Sequence, residues 1–518
     1  MSMRHAVGIC CLAGLLAVGG YAAPASDVAD AAMNKDKAAV RTLLKQKADV
    51  NAPQPDGTTA LVWAVRSEDT ELVDMLLAAG ANVKLANRDG ATAMYQASVN
   101  GSATMIERLL KAGADVNGTF LTTGETALME ASRTGKIEAV KVLLDHGAQV
   151  NAKETLRQTT PLMWAASQDH PDVVRLLISK GADLNVQSMK EKVTAQYGQL
   201  SKVADHLEKG GLTALTLAAR EGGTASVKAL IEAGADANQS TGDGSSALLV
   251  AVQNGHYDIG KYLIDHGAKV STPNQKGWSP LYMAIKNRSI ETGTMPNAPN
   301  MDQTLDFIKL LLDHDAEVNG RLAFETEMRN SNHVIWLKEE GATPFFRASY
   351  CGDLEVMKLL LAHGADPNIA TKDHTTPLMT VAGVGFTPGV VNHRSPEDDM
   401  AALKLLLEMG ADVNAANDQG LTALMGAAHK GADDQIVFLV DHGAKLDAHD
   451  KGKYCGNGGK DCVGGVIALN YAEGVQTTSQ STAYKPETVA LLEKLMTERG
   501  IPIPKENRTL GGIAAKIK

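Results

Sequence analysis

Aromatic residues are scarce: Phe, Trp and Tyr together make up 4% of this 518-residue chain. So few large rings cannot fill the thick core between two packed sheets. The apolar content, 44% overall, is mostly Ala, Leu and Val, which suits thin layers of small helices. Cysteine is scarcer still, at five, which excludes a disulfide scaffold and leaves the fold to rest on apolar packing. Positive charge is in deficit, with Lys+Arg 50 against Asp+Glu 60 and a net charge of −10. General nucleic-acid binding needs clustered cations and is not expected, although a local basic face stays open.

The short motifs that carry chemistry are missing as well. There is no His-Glu-x-x-His, no Gly-x-Ser-x-Gly, no phosphate-binding Gly-x-x-x-x-Gly-Lys-Ser/Thr and no Cys-x-x-Cys-His. Gly383-Val384-Gly385 starts like a dinucleotide loop, but Pro388 stands where the third glycine is required. Asp315 to Gly320 starts like a calcium loop, but its twelfth position is Thr326 rather than a bidentate Glu. No catalytic, cofactor-binding or metal-ligating residue is assigned, and the chain reads as non-enzymatic.

What is present begins with a leader. Arg4 and His5 precede the apolar run Ala6 to Gly20, and Ala23-Pro24-Ala25 supplies small residues for cleavage. Residues 1–25 therefore read as a secretory signal peptide, with an uncleaved anchor as the alternative. No later stretch approaches about 18 apolar residues, so no membrane insertion is expected after cleavage. The expected location is periplasmic or secreted.

The rest of the chain is organised by one recurring element. It appears as Ala112-Gly113-Ala114-Asp115-Val116-Asn117, His146-Gly147-Ala148-Gln149-Val150-Asn151 and Lys180-Gly181-Ala182-Asp183-Leu184-Asn185. Its glycines fall at 80, 113, 147, 181, 234, 267, 364, 410, 443 and 500, while Lys47 and Asp315 replace glycine in two copies. The base spacing is 33, and longer gaps are 33 plus an insertion. A fixed period of this size means stacked supersecondary units. Each unit opens on Asp and Gly turn residues, and a Thr can cap a first short helix. Pro161, Pro280, Pro344 and Pro377 fall at its first position. A second helix carries the apolar run, as at Val140, Val142, Leu143 and Leu144, before Gly147 stops it. His146, His266, His314, His363 and His442 share one register at the end of that helix, too far apart to converge on one metal.

Thr160-Pro161-Leu162-Met163-Trp164-Ala165-Ala166, followed by Leu176-Leu177-Ile178 and Gly181-Ala182-Asp183, resembles the ankyrin repeat, with Met163 where that family usually has His. The resemblance covers nearly all of residues 27–500 in about twelve units. It implies an all-α solenoid of helix-turn-helix units with β-hairpin finger loops. The chain looks most like bacterial exported ankyrin proteins. The expected layout is an N-terminal capping repeat at 26–53, then repeats over 54–185, 210–319 and 341–447. A C-terminal capping repeat with a Cys loop follows at 448–500, then a tail at 501–518.

Insertions interrupt this plan. Residues 186–209 and 320–340 extend loops between units, whereas 288–303 and 384–399 lie between the two helices of a unit, on the opposite edge. The 320–340 insertion holds Phe324, Val334, Ile335, Trp336 and Leu337, too apolar for an idle loop. It is expected either to pack across the concave face or to form a partner site. Cys455 and Cys462 are expected to pair as a short-loop disulfide in an exported protein. Zinc binding there with His449 would lack a second ligand pair. Cys351 is left as a free thiol.

What remains is a binding surface. The resemblance implies that fingers and first helices hold protein partners. Just after the first-helix Ala pair stand Arg66, Arg133, Arg220, Gln253, Lys286, Tyr350 and His429, read as exposed. Three positions earlier stand Trp63, Glu130, Trp164, Met283 and Arg347. Trp, Tyr and Arg dominate interface energies, and a basic stripe on an acidic protein points to an acidic protein partner. Trp63 and Trp164 are equally open to a packing role. The expected function is a monomeric interaction scaffold outside the cytoplasm. The alternatives are an accessory or inhibitory subunit of a periplasmic, perhaps redox or oxidative-stress, enzyme, and an enzyme with a site under the 320–340 insertion.

Overall fold

The computed structural model describes residues 26–192, 208–288, 301–324, 337–386, 395–452, 465–475 and 484–505. The chain forms two compact units, Met1–Gln149 and Val150–Lys518. Among the described residues the first unit holds four helix pairs, from Asp27–Met33 with Lys37–Lys45 to Ala127–Thr134 with Ile137–Asp145. The second holds eight, from Pro161–Ser167 with Pro171–Ser179 to Ala468–Glu473 with Pro486–Glu498. This is the all-α repeat architecture that the 33-residue period implies. Among the described residues the strands fall in two finger hairpins. Thr119–Phe120 pairs antiparallel with Glu125–Thr126, and Lys190–Lys192 with Glu208–Gly210.

Local chemistry sets each pair. The side chains of Thr92, Thr126, Thr160, Thr343 and Thr422 each accept the backbone N–H three residues on, capping a first helix. Ala at the centre of these short helices lets neighbouring backbones approach, and Ala64, Ala131, Ala165 and Ala427 are fully buried. Second helices bury one apolar stripe, such as Val140 and Leu143, and one pair alone could not cover it. Each ends on a left-handed residue, as at Gly147 with φ of +88°. Lys47 and Asp315 adopt the same conformation at φ of 61° and 59°, a strain of about 1–2 kcal/mol for a side-chain-bearing residue.

The repeated His and Asn then acquire plain roles. His146, His266, His363 and His442 each turn Nδ1 to the carbonyl four residues back, at 2.7–2.9 Å, on the last turn of their helices. Asn117 donates to the Gly147 carbonyl (3.1 Å) and accepts from the Gln149 amide (2.8 Å), stitching one repeat to the next. Asn238, Asn319 and Asn414 do the same in the second unit.

Two insertion boundaries differ from expectation. Residues 301–303 and 396–399 belong to helices, because second helices that follow an insertion are longer. Met301–Asp313 and Pro396–Glu408 have 13 residues where Leu354–Ala362 has nine. Ser395 caps the Asp398 amide, and Glu397, Asp398 and Asp399 favour the positive end of the helix dipole. Among the described residues no helix is long and apolar enough to cross a membrane.

Candidate functional site

The first-helix face of the first unit is open. Trp63 is half-buried, and its indole N–H donates to Gln54 Oε1 (2.7 Å). Gln54 in turn donates to Asp30 Oδ1 (2.6 Å), and hydrogen bonds from Gln54 and Ser26 hold the Asp30 carboxyl below its ordinary pKa. The exposed Arg66 guanidinium lies 5.2 Å from the Trp63 ring centre, a cation–π pair. Trp63 therefore both packs and presents a charged aromatic surface. Arg133 is exposed and donates through Nε and Nη2 to the buried Glu130 (3.1 and 2.7 Å).

In the second unit Trp164 is half-buried and its indole N–H donates to Thr159 Oγ1 (2.8 Å). Thr159 donates to Glu154, a buried carboxylate that also accepts the amides of Leu156, Arg157 and Thr159. Burial alone would raise the Glu154 pKa, but these hydrogen bonds outweigh it and lower it. Arg220 is exposed beside Glu221, and Gln253 is half-buried. Lys286 lies 5.3 Å from the ring of Trp278, and Lys276 lies 4.7 Å from the same ring. Trp278 is a residue that the register argument passed over, since it sits in the finger, not on the helix. A tryptophan two residues after a lysine, just before the helix cap Ser279, was the available signal.

Beyond residue 340 the same register is closed, which corrects the expected exposure of Tyr350 and His429. Tyr350 is 2% exposed, Arg347 5% and His429 5%, and Met283 is buried too. The physical reason at Arg347 and Tyr350 is that inserted chain lies over them, while His429 is covered from the next repeat by Tyr471. Glu339 reaches Arg347 Nη1 at 2.9 Å, with both side chains buried. The Tyr350 hydroxyl donates to the Gly385 carbonyl (2.9 Å). A side chain at Gly385 would meet Leu337 and Tyr350 within 3.0 Å, so the insertions from opposite edges meet on this ring. Of the two outcomes open for the 320–340 insertion, its described end takes packing across the first-helix face. Burial, then the charge of Lys485, pushes the His429 pKa down to about 4, and the Tyr471 ring meets it edge-on at 6.4 Å.

Ion pairs accompany the 288–303 and 384–399 insertions, and the sequence reading missed them. Arg288 donates to Asp353 and Glu355 (2.8 Å each) and to the Met301 carbonyl (2.6 Å), so it spans both ends of the 289–300 segment. Lys430 pairs with Asp399 at the start of a lengthened helix. Burial raises the Asp399 carboxyl pKa despite that partner. Both are long-range pairings, with no local motif to announce them.

Trp336, Cys455, Cys462 and residues 1–25 lie outside the described residues. Among those described, Cys351 is buried and in no disulfide, and no group of three His, Cys, Asp or Glu could hold a metal ion. The model for ankyrin repeats, in three copies, matches residues 28–120, 118–188, 215–295 and 345–450. The chain belongs to the ankyrin-repeat family. Ankyrin repeats are protein-interaction scaffolds, typically without enzymatic activity, so a protein partner is implied. No curated protein matches the chain.

Proposed function

We propose that this ankyrin-repeat protein acts outside the cytoplasm as a non-enzymatic scaffold, holding an acidic partner protein on the open parts of its first-helix face. One observation carries the reading: Arg66, Arg133 and Arg220 stand exposed in one register of an otherwise acidic protein, Arg66 stacked on Trp63. Arginine and tryptophan at such positions are the residue types that dominate interface energies, and their charge steers an acidic partner. The leader-like residues 1–25 support an extracytoplasmic setting. The same surface would hold an enzyme to which this chain is an accessory or inhibitory subunit.

The test is crosslinked affinity capture from the extracytoplasmic fraction with residues 26–518, beside a triple variant Arg66→Glu, Arg133→Glu and Arg220→Glu. The expected result is one protein lost from the variant, with helical circular dichroism and melting temperature unchanged. Identical capture by both proteins would reject the arginine surface.

A further inference from the structure

The closed part of the first-helix face carries its own occupant, and that occupant states what the surface recognises. Leu337 to Glu340 follow the 320–340 finger back towards the helix Pro344–Tyr350. The finger base is pinned by backbone bonds between Leu322 and residues 341–342 (2.8 and 3.0 Å), and Arg321 Nε donates to the Gly341 carbonyl. Residues 337–340 form no helix or strand. Their side chains nonetheless enter the face in the manner of a bound peptide. Leu337 is 6% exposed against Tyr350 and Gly385, and Glu339 is 9% exposed on Arg347.

The fit is incomplete in a specific way. Tyr282 is 2% exposed, and its hydroxyl has no hydrogen-bond partner among the described residues, although the charges of Glu339 and Arg347 both act on it. A buried hydroxyl left unpaired is unfavourable. A buried ion pair recovers little net stability after desolvation, so the Glu339–Arg347 pair specifies geometry more than it holds the segment down. The surface beneath combines Tyr282, Met283, Arg347 and Tyr350; at the register of Arg347 the open repeats present Trp63 and Trp164, and at that of Tyr350 they present Arg66 and Gln253.

We infer that Arg347, Tyr350 and Tyr282 form a recognition seat for an extended acidic segment with an apolar side chain two residues before a carboxylate, and that Leu337-Lys338-Glu339 fills this seat in cis until a partner segment displaces it. The inference rests on reading the first-helix face as the recognition surface. The carboxylate of the incoming segment replaces Glu339 on the Arg347 guanidinium, its apolar side chain replaces Leu337 on Tyr350, and a further acceptor would satisfy Tyr282. A tethered occupant competes at an effective concentration on the order of millimolar, so a free peptide with the same contacts binds the intact chain weakly.

The experiment titrates a fluorescent peptide Leu-Lys-Glu-Glu-Gly-Ala, the sequence of residues 337–342, into the full chain and into its Glu339→Lys variant. The variant drives its own segment off the guanidinium, so it should bind the peptide at least about tenfold more tightly than the unmodified chain. A peptide with Gln at the first Glu should lose that binding. A variant that keeps its helical circular dichroism yet gains no peptide affinity overturns the seat. If the variant does not fold, Glu339→Gln takes its place: peptide affinity raised about tenfold supports displacement, and unchanged affinity overturns it. The Arg66, Arg133 and Arg220 reversals take no part in this seat, so failure of the capture experiment and failure of this one are separate results.

Discussion

The repeats around residues 60–145 and those around 280–430 use one sequence register for opposite purposes. In the first group Arg66 and Arg133 follow the first-helix Ala pair and face solvent. In the second, Tyr350 and His429 occupy the same position and are buried. The helices are built alike, with Thr126 capping in one group and Thr343 and Thr422 in the other. What differs is inserted chain. At the 320–340 and 384–399 insertions, chain folds over the face onto Arg347 and Tyr350, whereas Arg220, after the 186–209 insertion, stays exposed. A register position in a repeat protein is therefore a location and not an environment.

The comparison breaks most sharply at Arg288. Its guanidinium and the Asp353 carboxylate are each 6% exposed, so Arg288→Ala leaves a buried carboxylate without that cation. Such a loss costs about 3–5 kcal/mol, whereas Arg66→Ala on the open face should change stability by less than about 0.5 kcal/mol. Urea unfolding of the two variants checks the contrast, and equal costs would erase the distinction between the regions.

Acid should reveal the same division. His429 has a folded pKa of about 4 against an ordinary value of 6.5, so the unfolded chain binds its proton first. Its contribution is complete above about pH 6.5 and is lost as pH falls from there towards 4, amounting to about 3 kcal/mol. Unfolding free energy followed over that window should show this slope, and His429→Leu should flatten it.

A smaller effect is expected at Gly426, which stands where open repeats carry Trp63 or Trp164. A Cβ there would meet the Val384 backbone nitrogen at 2.6 Å. In a free helix Gly→Ala gains about 1 kcal/mol, but here the clash should reverse the sign and destabilise by about 1–3 kcal/mol. A stabilised Gly426→Ala variant would show that the 383–386 segment does not press on this helix.

Much of the fold was legible because its determinants are local and repeated. The Thr caps, the prolines at 161, 344 and 377, and the glycines at a spacing of 33 each act within one unit, so reading one copy reads them all. The roles of Asn117 and His146 were present in the same pattern, although their bonds needed coordinates to be seen. The candidate surface was legible only in part. Trp63, Arg66 and Arg133 were found by register, but register could not separate them from Arg347, Tyr350 and His429.

The sequence by itself determined the repeat, its caps, its helix pairs and the family to which they belong, since neighbours within a few residues settle those. Only the tertiary structure decided which parts of the first-helix face are open. That depends on Leu337 and Gly385 meeting at Tyr350, Glu339 reaching Arg347, and Asp399 pairing with Lys430. Burial of a side chain depends on whatever chain comes to cover it, and the covering residues here come from insertions that obey no period.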